Sequence, residues 1–357
     1  MFLTVLEQIN LTPSDADSPS FLIKLGANGV LSYEAGDWVT VKGQNPRSLV
    51  LKVMDCLSLN PRDKIDLRRQ GEVTIEQALT HYLELTLVDP AILNKLIRHY
   101  GYQAWSSRAE MQHYAEGRDV LDLLLAFPKL CAMGKAFLTL LSPLAPRYYS
   151  TASSPTIYPN EIHLLYKAIR FYSDQRVRLG VTSNTMAQAK PGDQLDVEIK
   201  PNAHFKLPEN PRTAIVMMAA GTGLAPFLGF MQQRVEQPSA SRNIVYFGET
   251  HRQTRFLCQS SLESWQRQGA LGLYTAFSRD QDTKVYVQDL LAKNLDWLEL
   301  WQSGANLYIC GDKLGLAQGI EQQIKQIWMQ HFNWDSAQAN QAWLEAKQQK
   351  RIQLDVY

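Results

Sequence analysis

The chain has 357 residues, 45% of them hydrophobic and 20% charged, enough to bury sizeable cores in two or three compact units. Lys and Arg total 36 against 35 Asp and Glu, a formal net charge of +1, so bulk charge supplies no pull toward nucleic acid or an anionic membrane. Four well-separated cysteines, Cys56, Cys131, Cys258 and Cys310, fit free thiols in a reducing compartment better than a disulfide framework.

The histidines are scattered without a second ligand at helical spacing, and no metal site is assigned. Met1 to Asn10 lacks the basic head and apolar stretch of a signal peptide. The richest apolar run, Val120 to Pro146, is interrupted by Asp122, Pro128, Lys129 and Lys135, and reads as buried helix rather than a membrane span. The expected compartment is the cytoplasm.

From Phe2 to Val53 the pattern is strand-like. Phe21 to Leu25, Val30 to Tyr33 and Trp38 to Val41 are expected strands, separated by the turns Gly26 to Gly29 and Ala35-Gly36-Asp37, as at the start of an antiparallel sheet or barrel. Between Asn60 and Leu141 the periodicity becomes helical, with starts at Thr74 and at Asp89-Pro90. Strands return at Arg147 to Ser150, Ile162 to Phe171 and Gln194 to Ile199, so the first sheet is discontinuous in sequence around a helical insertion. After Pro211, the apolar runs 214–219, 243–247, 271–277 and 307–310 alternate with helical or loop stretches, which implies a parallel α/β sheet. The resulting division is 1–58 with 142–208 for the barrel, 59–141 for the helical insertion and 209–357 for the α/β unit.

Several short segments carry chemistry. Ala214 to Ala220 runs straight into Gly221-Thr222-Gly223-Leu224-Ala225-Pro226: a buried strand, a glycine turn and a helix start, whose bare N–H groups suit a nucleotide pyrophosphate. Taken alone, the pair of glycines serves equally as a tight strand-to-helix turn. Ser278-Arg279 and Lys284-Val285-Tyr286-Val287-Gln288 come after the third strand of the α/β unit, at the carboxyl edge where ligands bind. Two cations and two hydroxyls match a phosphomonoester, though a solvated basic loop uses the same residues.

Arg147-Tyr148-Tyr149-Ser150 opens a strand with a cation, an aromatic and a hydroxyl. Arg147 could neutralise a pyrophosphate, Tyr149 could cover a flavin ring and Ser150 could reach its reactive nitrogen. Gly180-Val181-Thr182-Ser183 offers a second backbone nest at a helix start. Cys310 closes the last parallel strand, and the chain stops at Asp355-Val356-Tyr357. Each of these also has a plain structural use, as an edge tyrosine, a helix cap, a core thiol or a frayed terminus.

In this order the motifs resemble the ferredoxin-NADP reductase superfamily, and within it the diflavin reductases related to cytochrome P450 reductase, the sulfite reductase flavoproteins most of all. The resemblance spans essentially the whole chain. It implies an antiparallel FAD-binding β-barrel, a helical connecting domain inserted in it and a parallel-sheet NADP-binding α/β domain. It further implies that Arg147, Tyr148, Tyr149, Ser150, Leu165, Tyr166, Lys167, Phe171, Gly180, Val181, Thr182, Ser183 and Tyr357 contact FAD, with Tyr357 stacked over the ring and moving aside for nicotinamide. Gly221, Thr222 and Gly223, with Ser278, Arg279, Lys284, Val285, Tyr286, Val287 and Gln288, would hold NADPH. Ser150, Cys310 and Asp355 would line the hydride-transfer site.

The implied activity is an NADPH-dependent flavoprotein reductase that feeds single electrons to an acceptor protein, either a flavodoxin-like FMN domain or a haem-containing sulfite reductase subunit. There are departures: Ala219-Ala220 stands where relatives often have Gly-Pro, Leu228 replaces a common arginine, Gly319 an aspartate and Phe171 a tyrosine. Relatives begin with an FMN domain that nothing before Phe21 could supply. The alternatives are a stand-alone ferredoxin or flavodoxin reductase and a non-catalytic flavin- and nucleotide-binding scaffold, the latter suggested by Leu228 and Gly319.

Overall fold

A computed structural model describes residues 1–13, 18–173, 176–237 and 241–357. Residues 14–17 of the first strand-like stretch lie outside it. In chain order the strands are β1 (Phe2–Asn10), β2 (Ser20–Gly26), β3 (Trp38–Val41), β4 (Lys64–Leu67), β5 (Gly71–Thr74), β6 (Arg147–Ser150), β7 (Glu161–Lys167), β8 (Arg170–Ser173), β9 (Arg176–Leu179), β10 (Gln194–Lys200), β11 (Ile215–Ala220), β12 (Asn243–Glu249), β13 (Gly272–Phe277), β14 (Asn306–Gly311) and β15 (Ile352–Val356). They fall into two compact units: residues 1–40, 148–167 and 190–357 form the first, residues 41–147 and 168–189 the second.

The first unit contains two sheets. Six strands in the order β6-β3-β10-β1-β2-β7 form the first, with β1 antiparallel to β10 and β2, and β2 antiparallel to β7. An isolated antiparallel bridge between Thr151 and Leu164 joins the two ends of that order, so the sheet curls into a barrel and leaves no long open edge. Alternate residues face inward along β2, where Ile23 and Leu25 are buried, as a half-buried strand requires.

The second sheet is parallel, in the order β13-β12-β11-β14-β15. Its central strand β11 is apolar on both faces. Ile215, Met217 and Ala219 join a core with Phe227, Phe230 and Met231 of the helix Ala225–Val235, while Val216 and Met218 join Ile320, Ile324 and Trp328 of the helix Gln318–Phe332. Helices on both faces of a parallel sheet explain why β11 is a continuous hydrophobic run. Burying each such Phe contributes about 1.5–3 kcal/mol.

The second unit is mainly helical. The helices Arg47–Cys56, Pro90–Tyr100 and Val120–Ala126 bury Val53, Leu93 and Leu123 in one core. Thr74 caps its helix through a capping box, and Asp89 caps the next, with Pro90 in its first turn; both starts match the sequence reading. The hairpins β4-β5 and β8-β9 complete the unit.

Five expectations about elements need correction. The strand-like pattern read from Phe2 to Val53 stops short of its end, because Arg47–Cys56 is a helix whose buried Leu49, Val50, Val53 and Met54 repeat at helical spacing. Val30 to Tyr33 is not a strand: Leu31 N–H bonds to the carbonyl of Pro159, and proline has no N–H to return the ladder. The expected strand 162–171 divides into β7 and β8, because Ile169 N–H is taken by Ser183 Oγ at 3.1 Å and its carbonyl by Gly180 N–H at 2.9 Å. The apolar stretch from Val120 is a helix only to Ala126, succeeded by 3-10 turns over Pro128–Leu140 interrupted at Gly134; a proline cannot extend the helix through its interior. Finally, β14 is not the last parallel strand. β15 pairs alongside it, which sets Cys310 opposite Asp355.

Candidate functional site

The carboxyl edge of the parallel sheet is built by its order. The chain leaves β11 toward β12 and β13 on one side, and β14 and β15 lie on the other, so a crevice opens between the ends of β11 and β14, the switch point at which doubly wound sheets bind ligands. Gly221 to Leu224 cap β11 in a 3-10 turn before the helix Ala225–Val235. Gly221 has φ +55, a region open to glycine. At Gly223 a Cβ would stand 2.1 Å from the Cys310 carbonyl oxygen, so only glycine lets the turn press against β14. The turn leads directly into the N-terminus of the helix Ala225–Val235, a backbone arrangement that suits a pyrophosphate.

Beside this crevice, Asp355 on β15 is buried. Ser150 Oγ donates to its Oδ2 at 2.5 Å, Trp38 Nε1 donates to its Oδ1 at 3.0 Å, and the Cys310 thiol points at Oδ2 from 3.9 Å. Ser150, Cys310 and Asp355 thus converge on one carboxylate. Burial, and secondly the charge of Asp355, pushes the Cys310 thiol well above its ordinary range, so it stays protonated and neutral. Trp38 was missed by the sequence reading, which treated it only as strand filler; the turn Ala35-Gly36-Asp37 before it was the available signal.

Tyr357 closes the same edge. Its N–H bonds to the Gly311 carbonyl at 3.2 Å, its carbonyl accepts from Lys313 N–H at 3.1 Å, and its hydroxyl meets Thr222 Oγ1 at 3.2 Å. The residue as a whole is nevertheless 68% exposed, held at this edge by those three bonds. Tyr148, 59% exposed, stands edge-on to Trp38, and half-buried Tyr149 edge-on to buried Tyr166. Leu165 is buried, while Lys167 at the end of β7 is exposed.

The loop after β13 gathers the second group. Ser278 N–H bonds to Glu249 O and Arg279 N–H to Thr250 O, each at 2.8 Å, which seats the loop against the end of β12. Ser278 is buried, whereas Arg279, Lys284 and Tyr286 are exposed. Among the described residues neither Arg279 nor Lys284 is ion-paired, so the stretch after β13 carries two exposed cations and a buried serine, residue types that fit a phosphomonoester. Val285 is half-buried, and Val287 is buried at the start of the helix Val287–Lys293. A Cβ at Gly319 would come within 3.2 Å of Gln288 Nε2, so glycine there leaves the Gln288 amide its room. Leu228 is core, packed with Phe227 and Phe230.

In the second unit, Gly180 caps the helix Val181–Gln188, and Gly43 lies against it, where a Cβ would approach Thr182 N to 2.8 Å. Thr182 Oγ1 is buried without a hydrogen-bond partner, an unmet polar atom at a helix start of the kind a phosphate oxygen satisfies. A cavity of about 350 Å³ lies beside this turn, lined among others by Ser48, Lys52, Thr86, Asp119, Arg178 and Leu179. Apart from Leu179's proximity to the glycine turn, sequence carried no signal for it, because its walls come from four separate stretches. Arg147 Nη2 meets buried Glu84 at 3.2 Å. Phe171 on β8 is 46% exposed.

This is the architecture of a flavin- and dinucleotide-binding oxidoreductase, and the chain belongs to the family described as FAD binding domain, whose model matches residues 1–185. The model described as oxidoreductase NAD-binding domain matches residues 217–322. The chain is similar to the sulfite reductase [NADPH] flavoprotein alpha-components of Bacillus subtilis, at 34% identity, of Photorhabdus laumondii, at 33%, and of Cronobacter sakazakii, at 34%. Each match covers 99% of this chain and 60% of the relative; the chain spans about three fifths of their length. Among the described residues no helix is long and apolar enough to cross a membrane.

Proposed function

We propose that the protein oxidises NADPH through bound FAD and passes the electrons singly to a separate carrier protein. The observation that carries this reading is the convergence of Ser150, Trp38 and Cys310 on the buried Asp355 carboxylate, at the edge that also bears the Gly221–Gly223 turn. FAD, when bound, would supply the conversion of a two-electron hydride into one-electron steps.

Asp355 supplies a fixed negative charge where the nicotinamide ring becomes cationic on losing hydride, and such preorganised charge lowers the barrier. Trp38 and Ser150 each hold one carboxylate oxygen, which fixes its plane. Cys310, kept neutral, fills the floor without adding a second charge.

Gly221, Thr222 and Gly223 are assigned to the NADPH pyrophosphate. Ser278, Arg279, Lys284 and Tyr286 take the 2′-phosphate and adenosine, with Gln288 beside them and Val285 and Val287 as their support. Arg147, Tyr148, Tyr149, Ser150, Leu165, Tyr166, Lys167, Phe171, Tyr357 and the turn Gly180 to Ser183 are assigned to FAD, and the cavity lined by Ser48, Lys52 and Thr86 to its adenosine end. The functional division is 1–58 with 142–208 for FAD, 59–141 for the connecting helices and 209–357 for NADPH.

The carrier is a flavodoxin-like FMN domain or a haem-containing sulfite reductase subunit, a reading supported by the names of the relatives. A cytoplasmic setting is supported by the near-neutral charge and the four free cysteines. Anaerobic mixing of FAD-loaded protein with NADPH should bleach the flavin absorbance. Persistence of the oxidised spectrum in protein shown to contain FAD would overturn the proposal.

A further inference from the structure

Two aspartates and two arginines meet in the second unit for no reason that the reaction supplies. Asp119 is the N-cap of the helix Val120–Ala126: its Oδ1 accepts Asp122 N–H at 3.0 Å, and the Asp122 carboxylate accepts Asp119 N–H at 2.8 Å. Both carboxylates are therefore fixed by backbone. Arg176 and Arg178, alternate residues and so on one face of β9, both bond to Asp119 Oδ2. Asp122 also takes Arg176 at 3.0 Å and Arg178 at 2.8 Å. The Arg178 and Asp119 side chains are each 6% exposed.

Formal charges balance, two against two. A buried ion quartet of this kind adds little net stability over apolar packing, because desolvation offsets the attraction. Its specificity lies in register. Sliding β9 by one residue would turn both arginines to the opposite face and leave two buried carboxylates unpaired. It would also displace the adjoining residues by roughly 3.3 Å. Directly after β9 comes the turn Gly180 to Ser183, with the unpartnered Thr182 hydroxyl, and the strand itself walls the cavity through Arg176, Val177, Arg178 and Leu179.

We propose that Asp119 is a positioning residue for FAD: by clamping Arg176 and Arg178 to a helix cap it sets the register of β9, and with it the place of the Gly180–Ser183 turn beside the cavity. This rests on the assignment of that turn to FAD. The arrangement acts through geometry and not through contact with the reacting atoms, so it should govern flavin affinity and leave nicotinamide nucleotide binding alone.

The test uses apoprotein of the whole chain as wild type, Asp119→Asn and Arg178→Lys, each shown to be folded by circular dichroism at the working temperature. FAD affinity is read by fluorescence quenching and 2′,5′-ADP affinity by calorimetry. The expected result is an FAD dissociation constant raised at least tenfold by Asp119→Asn, an unchanged one for 2′,5′-ADP, and recovery of NADPH-driven flavin reduction with excess FAD. FAD affinity within twofold of wild type, or equal weakening of both ligands, overturns the positioning role. Should Asp119→Asn not fold, Arg178→Lys, which keeps the charge but loses the planar fork, decides by the same criterion. A wild-type chain that binds 2′,5′-ADP and refuses FAD overturns the flavin reading and this one with it.

Discussion

Ser150 and Asp355, 205 residues apart in the chain, are joined by a hydrogen bond of 2.5 Å from hydroxyl to carboxylate. The bond ties the barrel strand β6 to the last strand of the parallel sheet and makes one acid the meeting point of three side chains. Asp355→Asn keeps the shape and removes the charge, so flavin reduction by NADPH should slow by roughly 100-fold. Stopped-flow reduction with FAD content held equal checks this; an unaltered rate would show that the charge is not used.

Arg279 and Lys284 are exposed cations in the stretch that follows β13. Replacing Arg279 by Gln should raise the KM for NADPH about 10- to 100-fold, as loss of a charged hydrogen-bond donor does, while kcat and the KM for NADH change little. The ratio of the two coenzymes' kcat/KM is the measurement. A variant that retained its preference would remove the loop from 2′-phosphate recognition.

Gly223 has no room for a side chain, since a Cβ would stand 2.1 Å from the Cys310 carbonyl. Gly223→Ala must push the turn off β14, at a cost of about 1–3 kcal/mol, and should weaken nucleotide binding in parallel. Urea unfolding together with 2′,5′-ADP titration reads both. A variant as stable as wild type would mean that the turn has slack absent from this packing.

Burial, then the neighbouring charge of Asp122, raises the Asp119 carboxyl from 3.8 to about 6. A carboxyl with a raised folded pKa favours the native state in its protonated form: its contribution is full below the unfolded value and is lost as pH rises through about 6. Wild type should therefore lose stability relative to Asp119→Asn as pH increases from 4 to 7. Parallel unfolding curves of the two proteins at these pH values test the sign, and a gap that widens in the other direction refutes it.

Much of the molecule was legible from local chemistry. The run from Ala214 into Gly221-Thr222-Gly223 specifies a buried strand and a sterically tight turn within ten residues, and Thr74 and Asp89 announce their helices because a cap is a local hydrogen bond. The fold class came from such signals together with the alternation of strands and helices after Pro211.

The tertiary structure decided whatever depends on partners distant in sequence. Asp355 gained its meaning when β15 paired in register with β14 and brought Trp38 and Ser150 to its two oxygens. Val30 to Tyr33 has a strand's composition but faces a proline carbonyl, and Arg176 with Arg178 carried no sequence signal for the helix cap that pairs with them. Local propensity is a property of neighbours along the chain. Register, burial and the pairing of charges are properties of neighbours in space, and only the folded packing brings those together.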